Sequence, residues 1–416
     1  MPPLATALLA FSRPTFAQQA ADTLTLEDAV ALAREANPLL QAVRLRADAA
    51  IERIPQAGAL PDPQLSFGFL NRPVVDLGRT DQSMTMNSVQ LTQRFPWPGK
   101  LGFAEERARY LAQAAELEAE ESGVSLVAGV KSVYYGLAYV DRALGILEDT
   151  RQLLREFLDV SSTMYSVGTG LQQDVLQAQV SVAQMTEEIT VMEQDRLAMA
   201  ARLNALLGRQ ATAPVGALEL PVPAGDLPPV DSLMALAARR RPALRAARAR
   251  AQAAEAGYKA ARRALYPDLT VTLGYGQRPQ FDDFLTLMLG VSIPVWAGSR
   301  QLPLRRQMSA TLSMEEAREI DLYNETYARI TELRAEAERA RNLTQLYATS
   351  VLPQARAAVE SALSAYRVGR VDFMTLVQNE MTVNRYEIDR VRLAADYQRA
   401  LAQVEALVGA DPGGVR

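Results

Sequence analysis

Two kinds of hydrophobic pattern alternate along this chain. From Leu171 to Leu207 the apolar positions Leu171, Val175, Ala178, Val182, Met185, Ile189 and Met192 recur by threes and fours, which is the spacing of a seam between packed helices. From Gly99 to Tyr165 there is no proline, and Ala, Leu, Glu and Arg dominate; this predicts one uninterrupted helix of about 67 residues, roughly 100 Å at 1.5 Å per residue. Shorter helices are expected on either side. Thr25-Leu26-Glu27-Asp28 reads as a capping box opening a helix that stops before Pro38, because the residue preceding proline is pushed out of the α region. A second helix runs from Pro38 to Leu60 with a kink at Pro55, and others are expected over 231–265, 298–365 and 371–408. The glycines of Val167-Gly168-Thr169-Gly170 and Val368-Gly369 supply the left-handed backbone of helix stops.

Four segments switch to strict alternation, near 64–70, 84–95, 268–277 and 284–295. Leu65, Phe67 and Phe69 share one face of the first. Val89, Leu91 and Phe95 share one face of the second, with Gln93 interrupting it. Leu269, Val271, Leu273 and Tyr275 line the third, and Leu285, Leu287, Leu289, Val291 and Ile293 line the fourth. The opposite faces carry mostly Ser, Thr and Gly. Strands of this length, apolar on one side and small or polar on the other, suit a membrane barrel; ordinary hairpins packed on the helices are the alternative. Four strands cannot close in lipid without unpaired edges, so the membrane reading requires several copies of the chain.

The two halves repeat each other at a spacing of about 200 residues. Asn37-Pro38-Leu39-Leu40 returns as Arg241-Pro242-Ala243-Leu244, Pro63-Gln64-Leu65-Ser66 as Pro267-Asp268-Leu269-Thr270, and Trp97-Pro98-Gly99 as Trp296-Ala297-Gly298. Tyr165-Ser166-Val167-Gly168 returns as Tyr366-Arg367-Val368-Gly369, and Leu206-Leu207-Gly208 as Leu407-Val408-Gly409. The expected layout is a signal peptide over 1–17, a first repeat over 22–210, a proline-rich linker over 211–230 and a second repeat over 231–410. Trp97 and Trp296, the two tryptophans of the chain, fall at equivalent strand-to-helix junctions. That is the place for an interfacial aromatic belt, with core packing as the alternative.

Composition narrows the chemistry. The chain has no Cys and no His, which removes disulfides, thiolate nucleophiles, the commonest metal ligand and the commonest general base. No metal site, cofactor or enzyme reaction site is expected. A net charge of −4 in 416 residues gives no electrostatic footprint for nucleic acid. The basic run Arg239, Arg240, Arg241, Arg245, Arg248 and Arg250 reads as a helix face turned to solvent or to a neighbouring protomer, with no ligand required. No stretch of about 18 uncharged apolar residues follows the N-terminal segment, so no transmembrane helix is expected.

With these features the chain resembles the TolC-like outer-membrane efflux family over about residues 22–410. The resemblance rests on Leu24-Thr25-Leu26-Glu27-Asp28-Ala29 with Asn37-Pro38, on the two Tyr-x-Val-Gly turns and on the repeat. Gln93-Arg94-Phe95-Pro96-Trp97-Pro98-Gly99-Lys100 is similar to the branch serving heavy-metal cation efflux. The resemblance implies a mainly α fold of duplicated long helical hairpins, with four transmembrane strands from each chain of a homotrimer closing a twelve-stranded barrel in outer-membrane lipid. It also implies a periplasmic adaptor and an inner-membrane, proton-driven transporter as partners, and export of small solutes, metal cations or drugs. Adaptor docking would fall on Val167, Gly168, Thr169, Val368 and Gly369. A selectivity aperture would draw on Asp174, Arg370, Asp372 and Glu380, although Thr375 and Gln378 occupy the second-half positions where the family often carries carboxylates. Pro353 should kink the second long helix. A soluble periplasmic coiled-coil scaffold or an adaptor protein is the competing reading.

Overall fold

A computed structural model describes residues 24–409 except 73, 76, 78–81 and 83. The segment read as a signal peptide lies outside the described residues. In chain order the elements are α1 (Leu26–Ala36), α2 (Pro38–Ile51), α3 (Arg53–Gly58), β1 (Gln64–Leu70), β2 (Met86–Phe95), α4 (Lys100–Ser166) and α5 (Gln172–Leu206). The second repeat supplies α6 (Val230–Arg240), α7 (Pro242–Arg263), β3 (Asp268–Gln277), β4 (Phe284–Ser292), α8 (Gln301–Leu346), α9 (Leu352–Arg367) and α10 (Phe373–Val408). The fold is mainly α with one small sheet. Between Leu207 and Pro229 there is neither helix nor strand, as five prolines in that interval dictate.

Local chemistry accounts for most boundaries. The Thr25 hydroxyl accepts from the Asp28 N–H at 3.1 Å and donates to the Asp28 carboxylate at 2.6 Å, so the box at the start of α1 closes in a compact form. Asn37 and Arg241, each before a proline, hold extended backbone with ψ of 117° and 119°. Asn37 also caps α2 by accepting from the Leu40 N–H at 3.1 Å. The expected kink at Pro55 occurs as a break at Glu52, between α2 and α3. α4 runs unbroken for 67 residues. Its counterpart does not: five residues, Tyr347–Val351, form a π-helical turn between α8 and α9. Pro353 lies just beyond it, where the missing N–H and the bulk of the ring prevent a regular ladder to the preceding turn.

The chain divides into two compact units. The first contains residues 24–36, 129–224 and 339–399. Its core is built by Leu147, Leu154 and Phe157 from α4, Met185 and Ile189 from α5, Leu352 and Val359 from α9, and Phe373, Leu376 and Val377 from α10. Here the seam expected on α5 needs correction at its start. Leu171 is 66% exposed, and the buried positions begin at Ala178; Leu171 is the extended N-cap residue and lies outside the helix. A second apolar stripe on α5, at Leu176, Val180, Val191 and Leu197, stays exposed. The expectation that no helix is apolar enough to cross a membrane also needs amendment. Among the described residues α4 is long and apolar enough to cross a membrane, and Val130, Tyr134, Leu137 and Leu147 on it are buried.

The second unit contains residues 37–128, 225–338 and 400–409. It carries a four-stranded antiparallel sheet in the order β1-β2-β3-β4. Each repeat contributes a hairpin, and the central β2–β3 ladder joins them in register from Asn87↔Gln277 to Phe95↔Leu269. The basic run on α6 and α7 is largely engaged: Arg241 pairs with Glu121 at 3.3 Å, Arg245 with Glu120 at 3.8 Å, Arg248 with Glu319 at 3.2 Å, and Arg250 with Glu118. Arg245, Arg248 and Arg250 remain about half exposed or more while pairing with acids of α4 and α8, and Arg241 alone is largely buried. The repeat is visible even in its last glycines. Gly208 and Gly409 both hold φ of +67°, and a Cβ on either would press on the carbonyl that closes its repeat's first helix, at 2.8 Å from the Ala36 oxygen and 3.2 Å from the Arg240 oxygen.

Candidate functional site

Three places concentrate chemistry: the sheet faces, the junction between strands and helices, and the turns between long helices. On the sheet, register converts alternation into continuous rows. Leu65, Leu91, Leu273 and Leu287 stand side by side across all four strands, and so do Phe67, Val89, Tyr275 and Leu285. Every one of these eight is exposed, Phe67 at 75% and Leu285 at 76%. A solvated protein seldom leaves so broad an apolar sheet uncovered. The opposite face carries Ser66, Gln90, Gly274 and Thr286 in one row. Thr92 and Thr272 share a hydrogen bond of 3.0 Å there. Gln93, which breaks the apolar alternation, uses its amide to donate to the carbonyls of Pro61 and Arg94.

At the junction Asp268 is the hub. It is 6% exposed and accepts from Arg94 Nη2 at 2.6 Å, Lys100 Nζ at 2.6 Å and the Trp97 N–H at 2.9 Å. One carboxylate from the start of β3 thus fastens the end of β2 and the start of α4. An isolated Asp after Pro267 is all that marks this hub in the sequence. Trp97 stacks on Tyr266 with centroids 5.3 Å apart and planes 12° from parallel, whereas Trp296 is 79% exposed. The two tryptophans therefore sit in different surroundings despite their equivalent positions.

The turns lie in the first unit. After α4 the Gly168 N–H donates to the Tyr165 carbonyl at 3.0 Å and the Thr169 N–H to the Met164 carbonyl at 2.9 Å; after α9 the Gly369 and Arg370 N–H groups repeat the pair to Tyr366 and Ala365, both at 2.9 Å. These are matched Schellman stops, with φ of +76° at Gly168 and +71° at Gly369. Val167 and Val368 are each 67% exposed at the apex.

The candidate aperture residues have separate environments. Asp174, in the first turn of α5, accepts a hydrogen bond of 3.2 Å from the Tyr366 hydroxyl. Burial and the adjacent Asp174 charge push the Tyr366 phenol up to about 12, so it remains a donor. Asp372 caps α10: Oδ1 accepts from the Thr375 N–H at 2.8 Å and from its hydroxyl at 2.5 Å, and these bonds hold the carboxyl below its usual range. Arg370 is exposed at the turn. Glu380 is 6% exposed; burial, with Glu387 adding repulsion, raises it to about 7 against the opposing pull of Arg356. Beside it the Thr150 hydroxyl donates to Asn384 Oδ1 at 3.1 Å, both residues being buried. Sequence reasoning missed this pair, although Glu380, Asn384 and Glu387 do interrupt the apolar seam of α10 at helical spacing. Among the described residues no cluster of carboxylates suited to a metal ion occurs.

Comparison with known proteins follows the same outline. A family model described as outer membrane efflux protein matches residues 29–209 and 233–410. The pyoverdine export outer membrane protein OpmQ of Pseudomonas putida is 24% identical over 92% of this chain and 86% of its own length. The cobalt-zinc-cadmium resistance protein CzcC of Cupriavidus metallidurans is 24% identical over 95% of this chain and 92% of its own. Among solved structures, a membrane protein from Pseudomonas aeruginosa matches with a TM-score of 0.81 at 19% identity, covering 92% of each chain.

Proposed function

Because this chain belongs to the outer membrane efflux protein family, we propose that three copies assemble into a passive export channel whose twelve strands close a barrel in the outer membrane. The chain is an outer-membrane transport conduit, not an enzyme. The observation that carries the assembly is the sheet itself. Its apolar face is exposed row by row, and β1 and β4 form its two edges. In lipid an edge strand must find a partner for every N–H and C=O, so four strands call for further copies. The exposed stripe of Leu176, Val180, Val191 and Leu197 on α5 supports the same conclusion, since helices with a second apolar stripe bury it against another helix.

The long helices then form a periplasmic tunnel. The turns at Val167, Gly168, Thr169, Val368 and Gly369 present exposed apolar apices to a periplasmic adaptor, and an inner-membrane pump, proton-driven, supplies the energy. Cargo is a small solute. The carboxylates of Asp174 and Asp372 would favour cations over anions at a constriction. The likeness of 93–100 to the heavy-metal branch, with CzcC among the relatives, supports metal cations as one cargo class.

The test is planar-bilayer conductance of the purified protein, with chemical crosslinking to count protomers. Conducting trimers are expected. Water-soluble monomers without conductance would overturn the channel and favour a coiled-coil scaffold.

A further inference from the structure

Immediately after β4 the chain changes character. Ile293, Val295 and Trp296 are 72%, 77% and 79% exposed, and then Arg300, Arg305 and Arg306 follow, all exposed. From 284 to 314 there is no acidic residue at all. The Arg300 N–H donates to the Trp296 carbonyl at 3.1 Å, so the tryptophan and the first arginine belong to one turn. Arg305 and Arg306 sit on the opening turns of α8, whose first turn holds no acid. Cations at a helix N-terminus oppose the helix dipole, so this charge does not serve the helix. Nor does the chain neutralise it: among the described residues no ion pair engages these three, in contrast to Arg241, Arg248 and Arg250 of the same unit. The equivalent helix start in the first repeat differs. Lys100 is bound to Asp268 and to the Tyr266 carbonyl, and Glu105 pairs with Arg109.

We infer that the turn at Trp296–Arg300 and the start of α8 form a docking surface for the phosphate headgroups of anionic phospholipids in the periplasm-facing leaflet. The inference rests on the proposed reading of the sheet as membrane-spanning. Continuity with the apolar face identifies the occupant. Ile293, Val295 and Trp296 extend that face to the hydrocarbon boundary, and Arg306 lies five residues into α8, roughly 8 Å along the axis. That distance is close to the thickness of a headgroup layer, about 5–7 Å, and to the Debye length of about 8 Å at physiological salt. Arginine stems can lie along apolar surface while their guanidinium groups reach outward to phosphate, which they bind bidentately. Each arginine near an anionic surface strengthens binding roughly fivefold, and three together on the order of a hundredfold at low salt.

Native mass spectrometry of the full chain, purified and offered dioleoyl phosphatidylglycerol or dioleoyl phosphatidylcholine in detergent, tests this, with bilayer conductance and crosslinking run on the same samples. Three variants are compared: wild type, R300Q/R305Q/R306Q, and a control triple of exposed arginines elsewhere, R155Q/R202Q/R239Q. Wild type and the control are expected to retain phosphatidylglycerol at least tenfold in preference, and R300Q/R305Q/R306Q to lose that preference while still forming conducting trimers. Conducting trimers that keep the preference after R300Q/R305Q/R306Q would overturn the inference and leave the channel standing. A variant that falls apart into monomers would assign the arginines to a neighbouring copy and also overturn it. Failure of wild type to conduct or trimerise would instead strike the channel reading itself.

Discussion

Tyr366 on α9 donates a hydrogen bond of 3.2 Å to Asp174 on α5, which ties the second hairpin of the first unit to the first. The phenol ring is 4% exposed and packs edge-on against Phe373 at 5.5 Å, so removing the hydroxyl leaves that packing in place. Tyr366→Phe is therefore expected to cost about 1.5–3 kcal/mol, the range for a hydrogen bond to a charged group. Hydrogen–deuterium exchange should show faster amide exchange over 171–178 and 366–374. Wild-type protection there would mean that the bond contributes nothing to joining the hairpins.

Asp268 offers a sharper case because three donors converge on one buried carboxylate. With Asp268→Asn, the side chain of Lys100, 20% exposed, loses its anionic partner. A loss of about 3 kcal/mol is expected, as for breaking a buried pair from one side. Adding Lys100→Met should recover part of that loss, giving strongly non-additive stabilities in a double-mutant cycle measured by thermal unfolding in detergent. Additive losses would mean the two side chains act independently.

The π-helical turn at Tyr347–Val351 marks the second long helix as the bendable one. Pro353→Ala restores an N–H that can bond to the Thr349 carbonyl and removes the ring from that turn. A lower open probability in planar bilayers is expected, since a regular helix resists bending. Unchanged gating and unchanged closed-state leakage would dissociate the turn from channel opening.

Much of this architecture is written in local chemistry. Prolines at 38, 55, 242 and 353 stop or distort helices wherever they fall, and Gly168 and Gly369 end them, because these residues act on their own backbone. The strand faces are equally readable, since alternation needs only a period of two. What escapes the sequence depends on which helix faces which. Nothing near Glu380 announces that it is buried, that Thr150 meets Asn384 across 234 positions, or that Asp174 meets Tyr366 across 192. The arginines of α7 show the same limit: their periodicity is plain, but Glu118, Glu120 and Glu121 lie on another helix. Trp97 and Trp296 show the converse, equivalent in repeat position and different in surroundings.

Glu380 gives a pH-dependent prediction. Its carboxyl is raised to about 7, above an unfolded value near 4.3, so the folded chain holds a proton that the unfolded chain releases. Its protonated form is tolerated at low pH, and stability falls as pH rises from about 4.5 to about 7. Glu380→Gln removes the ionisation and should raise stability at pH 8 by on the order of 3 kcal/mol, with little change at pH 4.5. Melting temperatures of wild type and variant at the two pH values check this. Equal shifts at both would assign the effect to packing.

The pairing of β2 with β3 sets a timetable for synthesis. Thr92 meets Thr272 across 180 positions of chain, so the central ladder cannot form until the second repeat has emerged. Contacts of such high sequence separation form slowly. Until they do, β2 presents an open edge, the condition under which partly made chains associate wrongly. In a nascent chain of this design the unpaired edge of β2 is the place most open to wrong association until its counterpart arrives.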